Sequence, residues 1–366
     1  MRLPSLVSAK ATCLTLWICG LCLGIATGQQ SPSLDNARPA SAPASASDNA
    51  ITLDVVVSQS SQLIGGLQQQ DFMLLDNKQP QKITSFQAVD AAAVNPQSPT
   101  EILLLLDEVN TPFHYGSIAR DQLTKFLENA PEFPAPASLV FFSDAGAAAT
   151  NATRDPKVLL GDLKKHPQPL PNGKRAQGAF GAVERFNLSL NTLRQLADYE
   201  SRRPGRKLVV WISPGWTFLS SPRIDLSVKD QETMFASIVS LSDSLRRARI
   251  TLYNVDPSGS GGLYHEYYKA FAKGVTNRKQ VQGGNLSLQV LAYQSGGLVL
   301  NASNDIADEI ATCVADAKSY YVLTFGAAPG DGPNEYHALE VKLDKPGLMV
   351  RSRLGYYAQP EPAMPH

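Results

Sequence analysis

Asp107 is the residue best placed to do chemistry, because it directly follows the five consecutive aliphatic residues Ile102 to Leu106. A run of this length is too short for a buried helix and is typical of a strand covered on both faces, as in the centre of a parallel sheet. Ligands of open α/β sheets bind at the carboxyl ends of the strands. Oxygen atoms of Asp107, Asn110 and Thr111 are therefore candidate ligands for a magnesium-like or calcium-like cation. The alternative is that Asp107 caps the following helix or accepts hydrogen bonds from the amides of its own loop.

Two other predicted strands also end in polar residues. Residues Lys207 to Ile212 lead into Ser213, and Ile250 to Val255 lead into Asp256. Aromatic residues follow both strand ends, and exposed aromatic side chains are concentrated at binding surfaces. The candidate partner-binding residues are Ser213, Trp216, Asp256 and Tyr264, with ordinary core packing as the alternative for the tryptophan and the tyrosine.

One enzymatic alternative uses the same residues. In haloacid-dehalogenase-like phosphatases a strand ends in a nucleophilic aspartate and a second strand ends in serine or threonine, and Asp107 and Ser213 imitate that pair. This chemistry needs a general acid two residues after the nucleophile, where the sequence has Val109. We therefore expect a protein that is not an enzyme, with the phosphatase and a passive structural component of the cell envelope as alternatives.

The elements that must position these residues alternate between strand and helix over residues 100–326. This order favours an α/β fold with a doubly wound, mostly parallel sheet. The pattern also predicts an antiparallel edge strand at Ala147 to Asn151 and a closing strand of the alternation at Tyr320 to Phe325. The predicted helices cover Tyr115 to Asn129, Phe180 to Glu200, Met234 to Arg249 and Ile306 to Lys318.

A second, smaller domain is predicted from the two ends of the chain. Residues 51–90 contain three short strands with tight turns, which need a partner to bury their apolar face. Residues 336–358 alternate and return as a hairpin. We therefore expect these segments to form one small β-sandwich, joined to the α/β domain by a hinge at residues 91–100.

Composition and the N-terminus indicate an exported protein. The chain has 366 residues, with 43% apolar and 18% charged residues and a formal net charge of zero, which argues against nucleic-acid binding. Residues 1–28 resemble a signal peptide, and residues 29–50 are a Ser/Ala/Pro-rich linker. We expect a periplasmic, outer-surface or secreted protein without a stable membrane span after cleavage, with an uncleaved anchor as the alternative. Cys313 is the one cysteine beyond the signal and is expected to be buried in a helix.

The strand that ends in Asp107 resembles the first metal-site loop of von Willebrand factor type A domains, whose motif is Asp-x-Ser-x-Ser. Val109 stands at the first serine position and cannot ligate a cation, whereas Thr111 stands at the second and can. The layout from Ile51 to Ala358, closing on Leu354-Gly355-Tyr356-Tyr357, is similar to the VWFA-related proteins abundant in acidobacteria.

The resemblance implies a Rossmann-like von Willebrand factor A fold and a module for adhesion or protein interaction. It also implies a metal-ion-dependent adhesion site (MIDAS) that is degenerate in this chain. The family places a threonine in the middle loop, which Asn172 to Phe180 lacks, and an aspartate after Leu208 to Ile212, where Ser213 stands. We therefore expect a divalent cation to bind weakly or not at all, and a protein partner to contact the surrounding loops.

Overall fold

A computed structural model describes residues 50–91, 99–167, 178–216, 226–259 and 266–361. Tyr264, the signal-like segment and most of the linker and hinge lie outside these ranges. The chain opens with the strands β1 (Ala50–Gln59), β2 (Gln62–Leu63), β3 (Phe72–Asp76), β4 (Gln79–Gln81) and β5 (Ile83–Asp90). It continues with β6 (Thr100–Asp107), α1 (Phe113–Asn129), β7 (Ala137–Ser143), β8 (Gly146–Ala149), α2 (Pro156–Lys165), α3 (Gly178–Ser201), β9 (Arg206–Ile212), α4 (Val228–Arg247), β10 (Ile250–Val255), α5 (Leu288–Gln294), β11 (Val299–Leu300) and α6 (Ile306–Ala315). It closes with β12 (Ser319–Gly326), β13 (Glu335–Leu343), β14 (Met349–Arg351) and β15 (Gly355–Ala358).

The central sheet has the strand order β11-β10-β9-β6-β7-β8. Every neighbouring pair is parallel except β7 and β8, so the predicted antiparallel edge strand is confirmed. Counted from β6, this is the order 6-5-4-1-2-3 of a doubly wound sheet, whose direction of winding reverses between β6 and β9. The predicted mostly parallel α/β architecture is therefore confirmed, and Asp107 and Ser213 lie at its switch point.

The aliphatic run of β6 is explained by helices on both faces of this sheet. Leu104 packs in a core with α1, α2 and α6, represented by Leu123 and Ile310. Leu105 packs in the opposite core with α3 and α4, represented by Leu193 and Leu241. A strand covered on both faces needs apolar residues at consecutive positions, which is why the sequence pattern was sufficient to locate it.

The strands outside the parallel sheet form two antiparallel sheets, which we call the small domain. Their orders are β14-β1-β12-β5, with β2 beside β1, and β15-β13-β3-β4. The placement of Tyr320 to Phe325 in the parallel alternation is wrong, because β12 pairs antiparallel with β1 and with β5. Tyr321, Leu323 and Phe325 fill the core of this domain, while Tyr320 and Val322 pack on its other face. Because both faces of β12 are apolar, its sequence pattern resembles that of a buried parallel strand.

A hydrogen-bonded group inside the small domain joins its second sheet. His337 on β13 lies 2.9 Å from Asp76 on β3 through Nδ1 and Oδ1, and the Tyr356 hydroxyl donates to the other Asp76 oxygen at 2.7 Å. Burial, followed by the bond to Asp76, raises the pKa of Tyr356, so the phenol stays protonated as the donor. All three residues are buried.

The two domains meet at a group of buried charges below the amino ends of the parallel strands. Arg206 on β9 donates to the main-chain oxygen of Asp316 at 2.9 Å and to the Tyr253 hydroxyl at 3.2 Å. Tyr253 in turn donates to the Asp316 carboxylate at 2.7 Å. Arg351 on β14 places one guanidinium nitrogen 2.8 Å from both oxygens of that carboxylate. The Arg206 guanidinium also lies 4.5 Å from the centre of the Tyr320 ring on β12.

Two further expectations concern single features. Cys313 is fully buried in α6, as predicted. Among the residues that the structure describes, no helix combines the length and the apolar character required to cross a membrane.

Replacing Arg351 with methionine should lower the free energy of unfolding by about 3 kcal/mol, because Asp316 would stay buried without its strongest charged partner. Chemical denaturation of the full chain measures this loss. Lys342→Met is the matched control, since Lys342 forms an exposed ion pair with Glu340 within strand β13. The control should change stability by less than about 0.5 kcal/mol. Equal losses in both variants would contradict the proposed importance of the buried group.

Candidate functional site at the carboxyl edge of the parallel sheet

The Asp107 carboxylate is the centre of a dense group of hydrogen bonds. Its Oδ1 accepts the main-chain N–H groups of Val109 at 2.9 Å and Asn110 at 2.8 Å. Its Oδ2 accepts the Asn110 side-chain amide, the Trp211 indole N–H and the Ser213 hydroxyl, each at 2.9 Å. The carboxylate is 2% exposed, so these donors replace solvent around a buried charge. Asp107 therefore bonds the amides of its own loop, the alternative interpretation of the sequence, whereas helix α1 has Pro112 at its N-cap.

The register between two strands brings the donors together. Leu106 on β6 pairs with Ile212 on β9, so Asp107 and Ser213 are the next residues along both strands. Trp211 pairs with Leu105 and packs on the α3 and α4 face, from which its indole nitrogen reaches Asp107. Ser213 and Trp211 thus both donate hydrogen bonds to the Asp107 carboxylate on β6.

This arrangement does not fit a divalent cation at Asp107. Both oxygens of the carboxylate already accept hydrogen bonds, and a cation would have to displace several of these donors. Val109, at the first serine position of the motif, is 2% exposed and packs in the apolar core. Asn110 Oδ1 and Thr111 Oγ1 are buried without hydrogen-bond partners, but both are neutral. In the described ranges there is also no group of three His, Cys, Asp or Glu residues that could hold a metal.

The turn after β9 is held by Ser213 and by a glycine. The Ser213 hydroxyl accepts the Gly215 main-chain N–H at 2.9 Å. Gly215 has φ +84°, and a Cβ atom there would lie 2.6 Å from the Gln289 side-chain nitrogen. That nitrogen donates to the Pro214 oxygen at 3.0 Å, so the turn is tied to α5. Only glycine combines the positive φ with this close approach.

Three of the residues predicted to contact a partner are buried. Trp216 is 3% exposed, its indole donates to the Leu286 oxygen at 2.6 Å, and its ring meets Trp211 edge to face. Ser213 is fully buried, and Asp256 is 8% exposed with its Oδ1 accepting the N–H and hydroxyl of Ser258. These side chains shape the loops but cannot form a contact surface. Tyr264, the fourth candidate, lies outside the described residues.

The exposed apolar residues of this edge were missed by the sequence reasoning. Helices α1 and α4 begin just after the loops that follow β6 and β9, so their first turns lie at the carboxyl edge. Helix α3 ends before the start of β9, and its Ser189 hydroxyl accepts the Asn110 side-chain amide, so its first half lies there too. Exposed large apolar side chains occur at these helix starts: Phe113 (48%), Phe180 (88%), Val183 (41%) and Val228 (60%). We call these four residues the carboxyl-edge apolar set. The signal that could have found them is an apolar residue at the N-terminus of a predicted helix, where the core stripe has not begun.

A second carboxylate beside Asp107 fixes helix α2. Glu108 Oε1 lies 3.0 Å from His166 Nε2, and the His166 ring stacks on Phe141 with centroids 3.7 Å apart. Burial raises the pKa of Glu108, and the neighbouring His166 acts in the opposite direction. Arg120 donates to the main-chain oxygens of Leu163 and His166. The end of α2 is therefore attached to both β6 and α1 at this edge.

No protein-family model and no curated protein matches the sequence. Among solved structures, an aerotolerance-related membrane protein from Bacteroides fragilis is 12% identical over 58% of this chain and 96% of its own, with a TM-score of 0.31. BatB from Bacteroides thetaiotaomicron is 12% identical over 60% of this chain and 98% of its own, with a TM-score of 0.29. The SpRpn10 VWA domain is 13% identical over 58% of this chain and 94% of its own, with a TM-score of 0.29.

The fold is assigned from the strand order and winding of the α/β portion described above. That portion is a doubly wound, mostly parallel α/β domain. Fold alone does not define function.

Replacing Asp107 with asparagine should lower the free energy of unfolding by about 3 kcal/mol. The amide nitrogen would face donors that now point at a carboxylate oxygen, and bonds to a charged acceptor contribute about 1.5 to 3 kcal/mol each. Urea denaturation measures the change. Asp144→Asn, an exposed aspartate at the end of the neighbouring strand β7, is the control and should remain within about 0.5 kcal/mol of wild type. A stability of Asp107→Asn equal to that of wild type would show that the five donors do not depend on the charge.

Proposed function

We propose that this chain is an exported protein-interaction module that binds a protein partner at the carboxyl edge of its parallel sheet, without a bound cation. The observation that carries the proposal is the carboxyl-edge apolar set. Four of the nine exposed large apolar side chains of the described residues lie at helix starts on this one edge. Covering an exposed apolar side chain with a partner is favourable in free energy, and all four of these side chains are more than 40% exposed.

The packing beneath this edge supports a binding surface that is rigid before the partner arrives. Asp107 joins β6 to β9, and Gln289 joins the turn after β9 to α5. Glu108 and Arg120 attach the end of α2. Loops held in this way lose little conformational entropy on binding, which leaves more of the interaction energy for affinity.

The phosphatase alternative finds little support at the same site. A nucleophilic aspartate must present a free oxygen to the substrate, whereas both oxygens of Asp107 are occupied by donors. The position of the general acid holds the buried Val109. Export remains an inference from residues 1–28 and is tested by the intact mass of the exported protein, which should not begin at Met1.

A paired-variant capture experiment tests the proposed surface. The exported chain is cross-linked to its partners in the envelope fraction of its own cells, and the captured proteins are quantified by mass spectrometry. The double substitution Phe113→Ser and Val228→Ser should reduce recovery of the specific partner at least about tenfold, since removing two contact residues costs more than about 1.4 kcal/mol.

Met73→Ser with Met349→Ser is the matched control, because these residues of the small domain are 54% and 58% exposed and lie far along the chain from the carboxyl edge. The control should capture the partner as wild type does, and addition of a chelator should not change capture. Equal recovery with both double variants, or loss of capture with the control alone, would refute the proposed surface.

Calorimetry with magnesium, manganese and calcium should give no binding at Asp107, because the charge of this carboxylate is already balanced by five donors. Wild type and Asp107→Ala are compared under the same conditions. Binding with a dissociation constant of about one micromolar that is abolished by the substitution would instead favour a metal-dependent adhesion mechanism.

A further inference from the structure

Glu309 is a buried carboxyl group that lacks a full set of hydrogen-bond partners. It lies in the first turns of α6, is 7% exposed, and its Oε2 atom has no hydrogen-bond partner. The main-chain amide of Ser303, in the loop after β11, donates to the same carboxyl group. A buried carboxylate oxygen without a donor is costly, and a proton removes that cost by neutralising the group.

The charged neighbours of Glu309 are acids. Asp256 approaches from the end of β10, and Asp305 and Asp308 lie at the start of α6 itself. Lys125 of α1 is bonded to Asp305 at 3.1 Å. Farther along α6 Glu309 faces the Cys313 thiol, while the Asp316 and Arg351 pair lies at the opposite end of the helix. Asp256, Asp308 and Asp305 are the charged groups with the largest effect on Glu309, and all three are acids.

We propose that Glu309 is a proton-operated latch for two loops of the carboxyl edge, Asp256–Gly259 after β10 and Asn301–Asp305 after β11. With the proton bound, Glu309 is neutral and the loops pack around it. When the proton leaves, the unpaired charge repels Asp256 and the loops open more often. The latch is a property of the folded chain by itself, and its consequence for partner binding rests on the proposed function above.

The direction of the pH dependence follows from burial. Burial first, then the neighbouring acids, raises the pKa of Glu309 from 4.5 to about 7. Because the unfolded chain releases this proton near pH 4.5 and the folded chain near pH 7, the contribution of Glu309 to stability is most favourable below about pH 4.5. It is lost as the pH rises through this window and stays constant above it. A change of pH in the neutral range therefore changes the protonation of Glu309 and, with it, how often the two loops open.

Hydrogen exchange of the full chain, corrected for the intrinsic pH dependence of exchange, tests the latch. Opening of Asn301–Asp305 in wild type should increase at least about tenfold between pH 5.5 and 8.5, with a midpoint near pH 7. Glu309→Gln, which is neutral at every pH, should open equally across the range. Asp308→Asn is the control, because it removes one charge from the same turn at an exposed position. It should keep a pH-dependent profile, with a midpoint slightly below that of wild type because Asp308 helps to raise the pKa of Glu309.

Opening of wild type that does not change with pH would overturn the latch, as would an Asp308→Asn profile as flat as that of Glu309→Gln. If Glu309→Gln does not fold, carboxyl ¹³C NMR of wild type gives the same decision, since a Glu309 titration near pH 4.5 rather than near 7 refutes the proposal. The proposed binding surface and the proposed latch are tested by different measurements. Loss of capture by the Phe113 and Val228 variant concerns the surface only, whereas exchange profiles concern the latch only.

Discussion

The need to balance one buried negative charge organises the carboxyl edge of the parallel sheet. Asp107 ends the central strand, and its charge is balanced by dipoles from its own loop and from β9. A cation would perform the same task in a complete metal site, but it would require free oxygen ligands and an additional acid. Because the donors belong to the fold itself, the charge is balanced whatever ions the solvent contains. In this arrangement the Asp107 carboxylate is not available to contact a partner, so recognition has to use other side chains.

Charge is balanced in a different way at the opposite end of the sheet. There the Asp316 carboxylate is paired with Arg351 of the small domain and accepts a hydrogen bond from Tyr253 of the α/β domain, while Arg206 donates to the Asp316 main-chain oxygen. A buried ion pair of this kind adds little stability compared with apolar packing, but it is sensitive to geometry. It therefore fixes the orientation of the small domain on the larger one more than it strengthens the contact.

The sequence was sufficient wherever a local pattern determines a structure. The aliphatic run before Asp107 located the central strand, and the alternation of elements predicted the doubly wound sheet. Patterns that depend on distant residues were not readable. The five donors of Asp107 come from residues up to 106 positions away, and Trp216 looked like a surface anchor because nothing in its neighbourhood shows that Leu286 covers it. The strand at Tyr320 was misplaced because apolar residues on both faces do not say which sheet a strand joins.

The pairing of β1 with β12 has a consequence for the order in which the chain acquires structure. Thr52 and Thr324 face each other across these strands although 272 residues separate them. At synthesis rates of about 5 to 20 residues per second, the first strand waits on the order of half a minute for its neighbour. During that time its edges are open to other chains, and the α/β domain can mature before the smaller one closes. The completion of the small domain therefore depends on the late arrival of β12 rather than on the speed of any local step.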